Sequence, residues 1–148
     1  MYQKVLVPLD GSPLAECVLD HVKSLATIGQ IKELLLLGVV ELPPEWAKEG
    51  PDFDKFQDAH IAETKTYLTK VREGLVGEGI SEVSVLVLVG KPADLITEAA
   101  SREGVVLIAI ATHGRTGLGK WMLGSVAYKV MRHSQVPVFM VRPDSCRL

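Results

Sequence analysis

Apolar residues in this chain gather in five short runs, and between the runs they recur at helical spacing. The first run, Val5-Leu6-Val7-Pro8-Leu9, reads as a buried strand. It ends in Asp10-Gly11-Ser12-Pro13, where Ser12 is placed to cap a helix and Pro13 to begin it. Leu14, Val18, Val22 and Leu25 follow at spacings of four, four and three, the stripe of an amphipathic helix that runs to about Ile28 and stops at Gly29. Leu34 to Val40 is a second strand, apolar on both faces and therefore interior to a sheet. After the Pro43-Pro44 loop, a long helix is predicted from about Asp52. Its inward face is marked by Phe53, Phe56, His60, Tyr67, Val71 and Leu75, and it closes at Gly77 and Gly79. Val83 to Val89 is the third strand, and Gly90-Lys91-Pro92 opens a helix that carries Leu95, Ile96, Ala99 and Ala100 inward. Val105 to Ile110 is the fourth strand, Ser125 to His133 the last helix, and Val138 to Val141 the last strand. Strands that alternate with helices pair in parallel through right-handed crossovers, so the chain is predicted to be a doubly wound, three-layer α/β/α sandwich.

The stretch from Ala111 to Ser125 is the chemically suggestive one. A buried strand empties into a glycine-rich loop that leads into the start of a helix. The first turn of a helix leaves backbone N–H groups unpaired at the positive end of its dipole, which suits a phosphate. Gly114 to Lys120 matches the first seven positions of a P-loop, but Trp121 stands where that motif needs Ser or Thr. The loop also follows the fourth strand rather than the first, so the P-loop reading is set aside. Ligands of open α/β sheets bind beyond the carboxyl ends of the strands, where the winding reverses. Pro8 to Ser12 and Ala111 to Gly114 both fall at such ends.

Composition narrows the classes of function. At 148 residues a single domain is expected, one that buries about 70% of its unfolded surface; it is assigned to residues 1–143, with 144–148 as a tail. A net charge of −2 gives no electrostatic footprint for nucleic acid. No apolar run approaches the ~20 residues that span a bilayer, and the N-terminus has no signal-peptide pattern. Cys17 and Cys146 lie far apart in sequence, which argues against a disulfide framework and for a reducing, cytoplasmic home. His21, His60 and His133 are scattered without metal-ligand spacing. No nucleophile with an orienting carboxylate accompanies His113, so neither a catalytic nor a metal residue is assigned.

Three separated segments, Val5 to Ser12, Gly90-Lys91-Pro92, and Thr112-His113-Gly114 with Gly124-Ser125 and Val136-Pro137-Val138 beyond, together resemble the universal stress protein family over essentially the whole chain. Its nucleotide-binding members share a pattern of Gly, two residues, Gly, nine residues, Gly, then Ser or Thr. Here Gly114, Gly124 and Ser125 match it, and Ala111 replaces the first glycine. The resemblance implies a Rossmann-like five-stranded parallel sheet of order 3-2-1-4-5. It implies ATP as ligand, with Mg2+ held through the phosphates. Asp10 would accept from the ribose hydroxyls, Pro8 would line the adenine slot, and Val39 would pack against the base. Gly114, Gly124, Ser125 and Val126 would surround the phosphates, with Ala111 and His113 beside ribose and phosphates; Leu9 and Arg115 are also counted as nucleotide-binding.

Residue chemistry allows second readings at two of these positions. Asp10 can serve as a turn aspartate before Ser12-Pro13, and Ser125 can be the cap of the last helix. The methyl of Ala111 is expected to weaken binding rather than abolish it, at a cost of about 1–3 kcal/mol if it crowds the ribose. The family resemblance further implies a homodimer through the C-terminal strand, residues 137–142, whose apolar edge needs covering. A slow ATP hydrolase, and a dimer that has lost nucleotide binding, are the competing functions. The Ser-Gly-Gly-x-Asp-Ser loop of related hydrolases is absent from the sequence.

Overall fold

The computed structural model describes residues 1–113 and 124–142. In chain order they form β1 (Tyr2–Pro8), α1 (Pro13–Glu16), α2 (Val18–Thr27), β2 (Ile31–Val40), one 3-10 turn (Glu45–Ala47), α3 (Phe53–Gly77), β3 (Val83–Val89), α4 (Pro92–Arg102), β4 (Leu107–Ala111), α5 (Ser125–His133) and β5 (Val138–Val141). The five strands make one sheet of order β3-β2-β1-β4-β5, parallel throughout. β1 is central, with Leu6 opposite Leu35 on one side and Ile108 on the other.

Alternation along the strands sends residues to two separate cores. Val5, Val7, Leu34, Leu36 and Ala109 pack against α1, α2 and α3. Leu6, Leu35, Leu37, Ile108 and Ile110 pack against α4 and α5. Both faces of the middle strands are thus dry, which is why β1 and β2 read as unbroken apolar runs. Fully burying one such side chain contributes about 1.5–3 kcal/mol. The chain winds outward from β1 to β3, then crosses back over the sheet to β4, and the reversal of winding falls between β1 and β4.

Three details depart from the sequence reading. The first predicted helix is interrupted at Cys17, which divides α1 from α2. α3 is rotated in its first half: Phe56 is 69% exposed and His60 is also exposed, while Gln57, Ile61, Thr64 and Leu68 turn inward. The cause is Gly38 on β2. A Cβ there would come within 2.5 Å of Thr64 Cγ2 and 2.9 Å of Leu68 Cδ1, so the missing side chain is the seat on which the helix rests. Finally, Cys17 is disulfide-bonded, and no cysteine among the described residues is free. Its sulfur lies 3.8 Å from the carbonyl oxygen of Arg142, because α1–α2 and the exit of β5 meet on one face of the sheet. Sequence distance alone conceals that proximity; Cys146 lies outside the described residues. No described helix is long and apolar enough to cross a membrane.

Candidate functional site

Two connections leave the carboxyl edge of the sheet at the point of reversal. After β1, Leu9 is a core residue, 4% exposed, and its N–H donates to the Leu37 carbonyl at 2.9 Å. Pro8, half-buried, lies opposite Leu37 on β2. The chain then turns at Gly11, whose φ of 83° is the left-handed conformation that glycine adopts without strain. Across this turn Asp10 Oδ1 accepts the Ser12 N–H at 2.9 Å and the Ser12 hydroxyl at 2.6 Å. Ser12 Oγ in turn accepts the Ala15 N–H at 3.1 Å and caps α1, with Pro13 opening the helix as expected. Asp10 is therefore a turn aspartate. A carboxylate offers about four acceptor positions, and Ser12 takes two of them on Oδ1.

The second connection begins at Ala111, the last residue of β4, buried opposite Val141. Thr112 continues the ladder by donating its N–H to Val141 O at 2.8 Å. Its carbonyl accepts the N–H of Gly124 at 2.7 Å, and that bond ties the end of β4 to the start of α5. Gly124, with φ −58° and ψ 148°, is the N-cap of α5 and offers the helix no side-chain cap. Ser125 is accordingly the first helical residue rather than the cap. It is exposed, and Val126 beside it is half-buried. Glycine is required at 124 by space, because a Cβ would sit 2.7 Å from the Thr112 carbonyl oxygen. The first N–H groups of any α-helix have no partner within the helix, and Gly124, the N-cap residue, has no side chain to offer them.

His113 stands beside this helix start. Its Nδ1 lies 2.9 Å from Thr112 Oγ1, while its Nε2 is buried without a hydrogen-bond partner. Two tautomers are possible. If Nδ1 carried the proton and donated to Thr112, both the threonine O–H and the Nε2 lone pair would lack partners. If the threonine donates to Nδ1, the Nε2–H alone is left over. The second arrangement orphans fewer buried groups, so His113 presents an N–H donor in want of an acceptor. Sequence reasoning named His113 and missed the threonine that fixes it, although a hydroxyl residue next to the histidine was there to be read.

The remaining expected site residues are distributed as follows. Val39, on β2 opposite Leu88, packs at the edge of the core under α4 and α5. Gly114 and Arg115 lie outside the described residues. Among the described residues no group of three or more His, Cys, Asp or Glu side chains is placed to hold a metal ion. A cleft of about 490 Å3 opens elsewhere, between α1–α2 and α3. Lys23 in its wall is already paired with Glu78 at 3.1 Å and Asp20 at 3.8 Å, so those charges satisfy one another.

Comparison with known proteins fits this geometry. The model of the universal stress protein family matches residues 1–142. Universal stress protein MJ0577 of Methanocaldococcus jannaschii is 32% identical, with 96% of each chain covered. Its solved structure superposes with a TM-score of 0.84 at 33% identity, again over 96% of each chain. A universal stress protein in complex with cAMP shares the fold at 23% identity and a TM-score of 0.69, over 95% of this chain and 97% of that one. A family member from Arabidopsis thaliana with AMP bound does so at 18% identity and 0.59, over 95% and 91%. With its five-stranded order, its two loops at the reversal and a family match over nearly its whole length, the chain belongs to the universal stress protein family.

Proposed function

We propose that this chain is an adenine-nucleotide-binding regulatory module that takes ATP between the turn after β1 and the start of α5. The observation that carries the reading is the Nε2–H of His113, buried without an acceptor beside a helix N-terminus whose cap residue, Gly124, has no side chain. A phosphate oxygen supplies what both lack. Gly124 supports it, because the close approach of Thr112 excludes a side chain there, and a glycine lets a ligand come close to the backbone. In this reading Asp10 accepts from the ribose diol, Pro8 and Val39 flank the base, and Ser125 and Val126 turn their N–H groups to the phosphates. Gly114 takes the phosphate role that the family pattern gives it, and Arg115 is counted among the nucleotide-binding residues. Mg2+ is held through the phosphates, where it would neutralise their charge. The cAMP and AMP held by the two relatives named above are the same ligand class.

Calorimetry with ATP and Mg2+ tests this. Saturable binding by the unaltered chain that Asp10→Ala and Gly124→Val impair is the expected result. Indifference of all three to ATP would leave only the dimer function, and repeated turnover to ADP would make the protein a hydrolase. The homodimer is proposed through β5, an edge strand on which Val138, Phe139 and Met140 are each half-exposed. Pairing with a second copy would cover that edge. Light scattering at micromolar concentration is expected to give twice the chain mass, and a monomer would remove the claim. We place the protein in the cytoplasm, where adenine nucleotides are abundant. Disulfides are rare in that reducing compartment, and the bond at Cys17 is the observation that weighs against the placement; trapping thiols with an alkylating agent at cell lysis tests it, and a fully oxidised Cys17 would overturn it.

A further inference from the structure

We propose that Tyr67, on the far helix α3, is a positioning residue for Asp10 and thereby sets how strongly the site discriminates ribose from deoxyribose. The inference rests on the nucleotide reading above. It starts from α1, which is only four residues long and too short to hold itself together as a helix. Its stability must come from outside. One support is local: Ser12 caps it, and Glu16 donates its N–H to the Ser12 carbonyl at 3.2 Å. The other is distant. Tyr67 is packed against the core beneath α1–α3, and its hydroxyl donates to Glu16 Oε1 at 2.6 Å. Glu16 closes α1, Ser12 opens it, and the N–H and hydroxyl of Ser12 both bind Asp10 Oδ1.

A continuous path of hydrogen bonds therefore runs from α3 through α1 to the aspartate at the sheet's carboxyl edge. The hydroxyl of Tyr67 is held well above its ordinary range, chiefly by burial, then by the bond to Glu16 and the negative charges of Glu16 and Asp10. It stays a neutral donor, and the charge of Asp10 is near enough to be felt. Removing that hydroxyl leaves a half-buried carboxylate without its donor and frees the turn that aims Asp10.

The test compares Kd for ATP and for 2′-deoxyATP in the unaltered chain and in Asp10→Asn, Tyr67→Phe and Glu16→Gln. The unaltered chain is expected to prefer ATP, and Asp10→Asn to erase the preference. Tyr67→Phe is expected to reduce it about fivefold by weakening ATP and leaving 2′-deoxyATP nearly unchanged, the loss of one hydrogen bond to a charged group transmitted through a turn. Glu16→Gln keeps an amide oxygen that accepts from Tyr67 and loses only the charge, so it should reduce the preference less, and adding it to Tyr67→Phe should change little, because the two act on one link. Full retention of the preference in Tyr67→Phe and Glu16→Gln overturns the proposal while the nucleotide reading stands. An equal loss for both nucleotides also overturns it, since a general weakening of the fold would act that way. A lack of any preference in the unaltered chain defeats the role of Asp10 itself.

Discussion

The turn after β1 and the connection after β4 leave neighbouring strands at one edge of the sheet and end their polar groups in opposite ways. In the first, Asp10, Gly11 and Ser12 close on themselves: the carboxylate takes both donors of Ser12, and Ser12 caps the helix that follows. In the second, Gly124 starts α5 without a side chain of its own to cap it, and His113 keeps a buried donor without an acceptor. The first turn meets these polar groups locally. In the proposed reading, the second meets its own through a ligand. A binding site made of one completed and one incomplete element places the cost of precision on the first and the gain from the ligand on the second.

Breaking the incomplete side should have the largest effect. Gly124→Val drives a branched side chain into the Thr112 carbonyl and is expected to weaken ATP binding more than about 100-fold, the equivalent of 2.7 kcal/mol or more, by calorimetry. Asp10→Ala comes next. It removes the proposed ribose acceptor and two turn hydrogen bonds, so affinity should fall about 10- to 100-fold and stability by about 1–2 kcal/mol in urea. His113→Leu should weaken ATP about tenfold, in keeping with one charge-assisted hydrogen bond. Its stability should stay within about 1 kcal/mol, because the change exchanges an orphaned Nε2–H for an orphaned Thr112 hydroxyl. Ser12→Ala has the smallest expected effect on ligand. It should cost about 1 kcal/mol of stability through the lost cap, seen as a lower thermal midpoint, with ATP affinity reduced only a few-fold.

What was legible in the sequence follows the same division between local and distant causes. The strands were readable because a sheet wetted on neither face writes itself as apolar runs, and Ser12-Pro13 announced α1 because capping is settled within four residues. The rotation of α3 was not readable. It is set by Thr64 and Leu68 seating on Gly38, and the aromatic Phe56 falsely suggested an inward face. The Tyr67–Glu16 bond joins residues on two different helices and leaves no periodic mark. Cys17 likewise gave no hint of its pairing. In the candidate site, the order strand, glycine-rich loop, helix pointed to the carboxyl edge of the sheet, whereas the tautomer of His113 emerged only from the hydrogen-bond accounting around it. Ala111 is seated in the sheet as a buried β4 residue.

The central position of β1 also governs how the molecule can be made. Val5 pairs with Leu34, close in sequence, but its other neighbour is Leu107, so one flank of β1 has no strand to pair with until the chain through β4 has been made. Such non-local closure is intrinsically slow and exposes an adhesive edge in the meantime. The seam between β1 and β4, where the proposed ligand sits, is thus among the last parts of the sheet to be sewn shut.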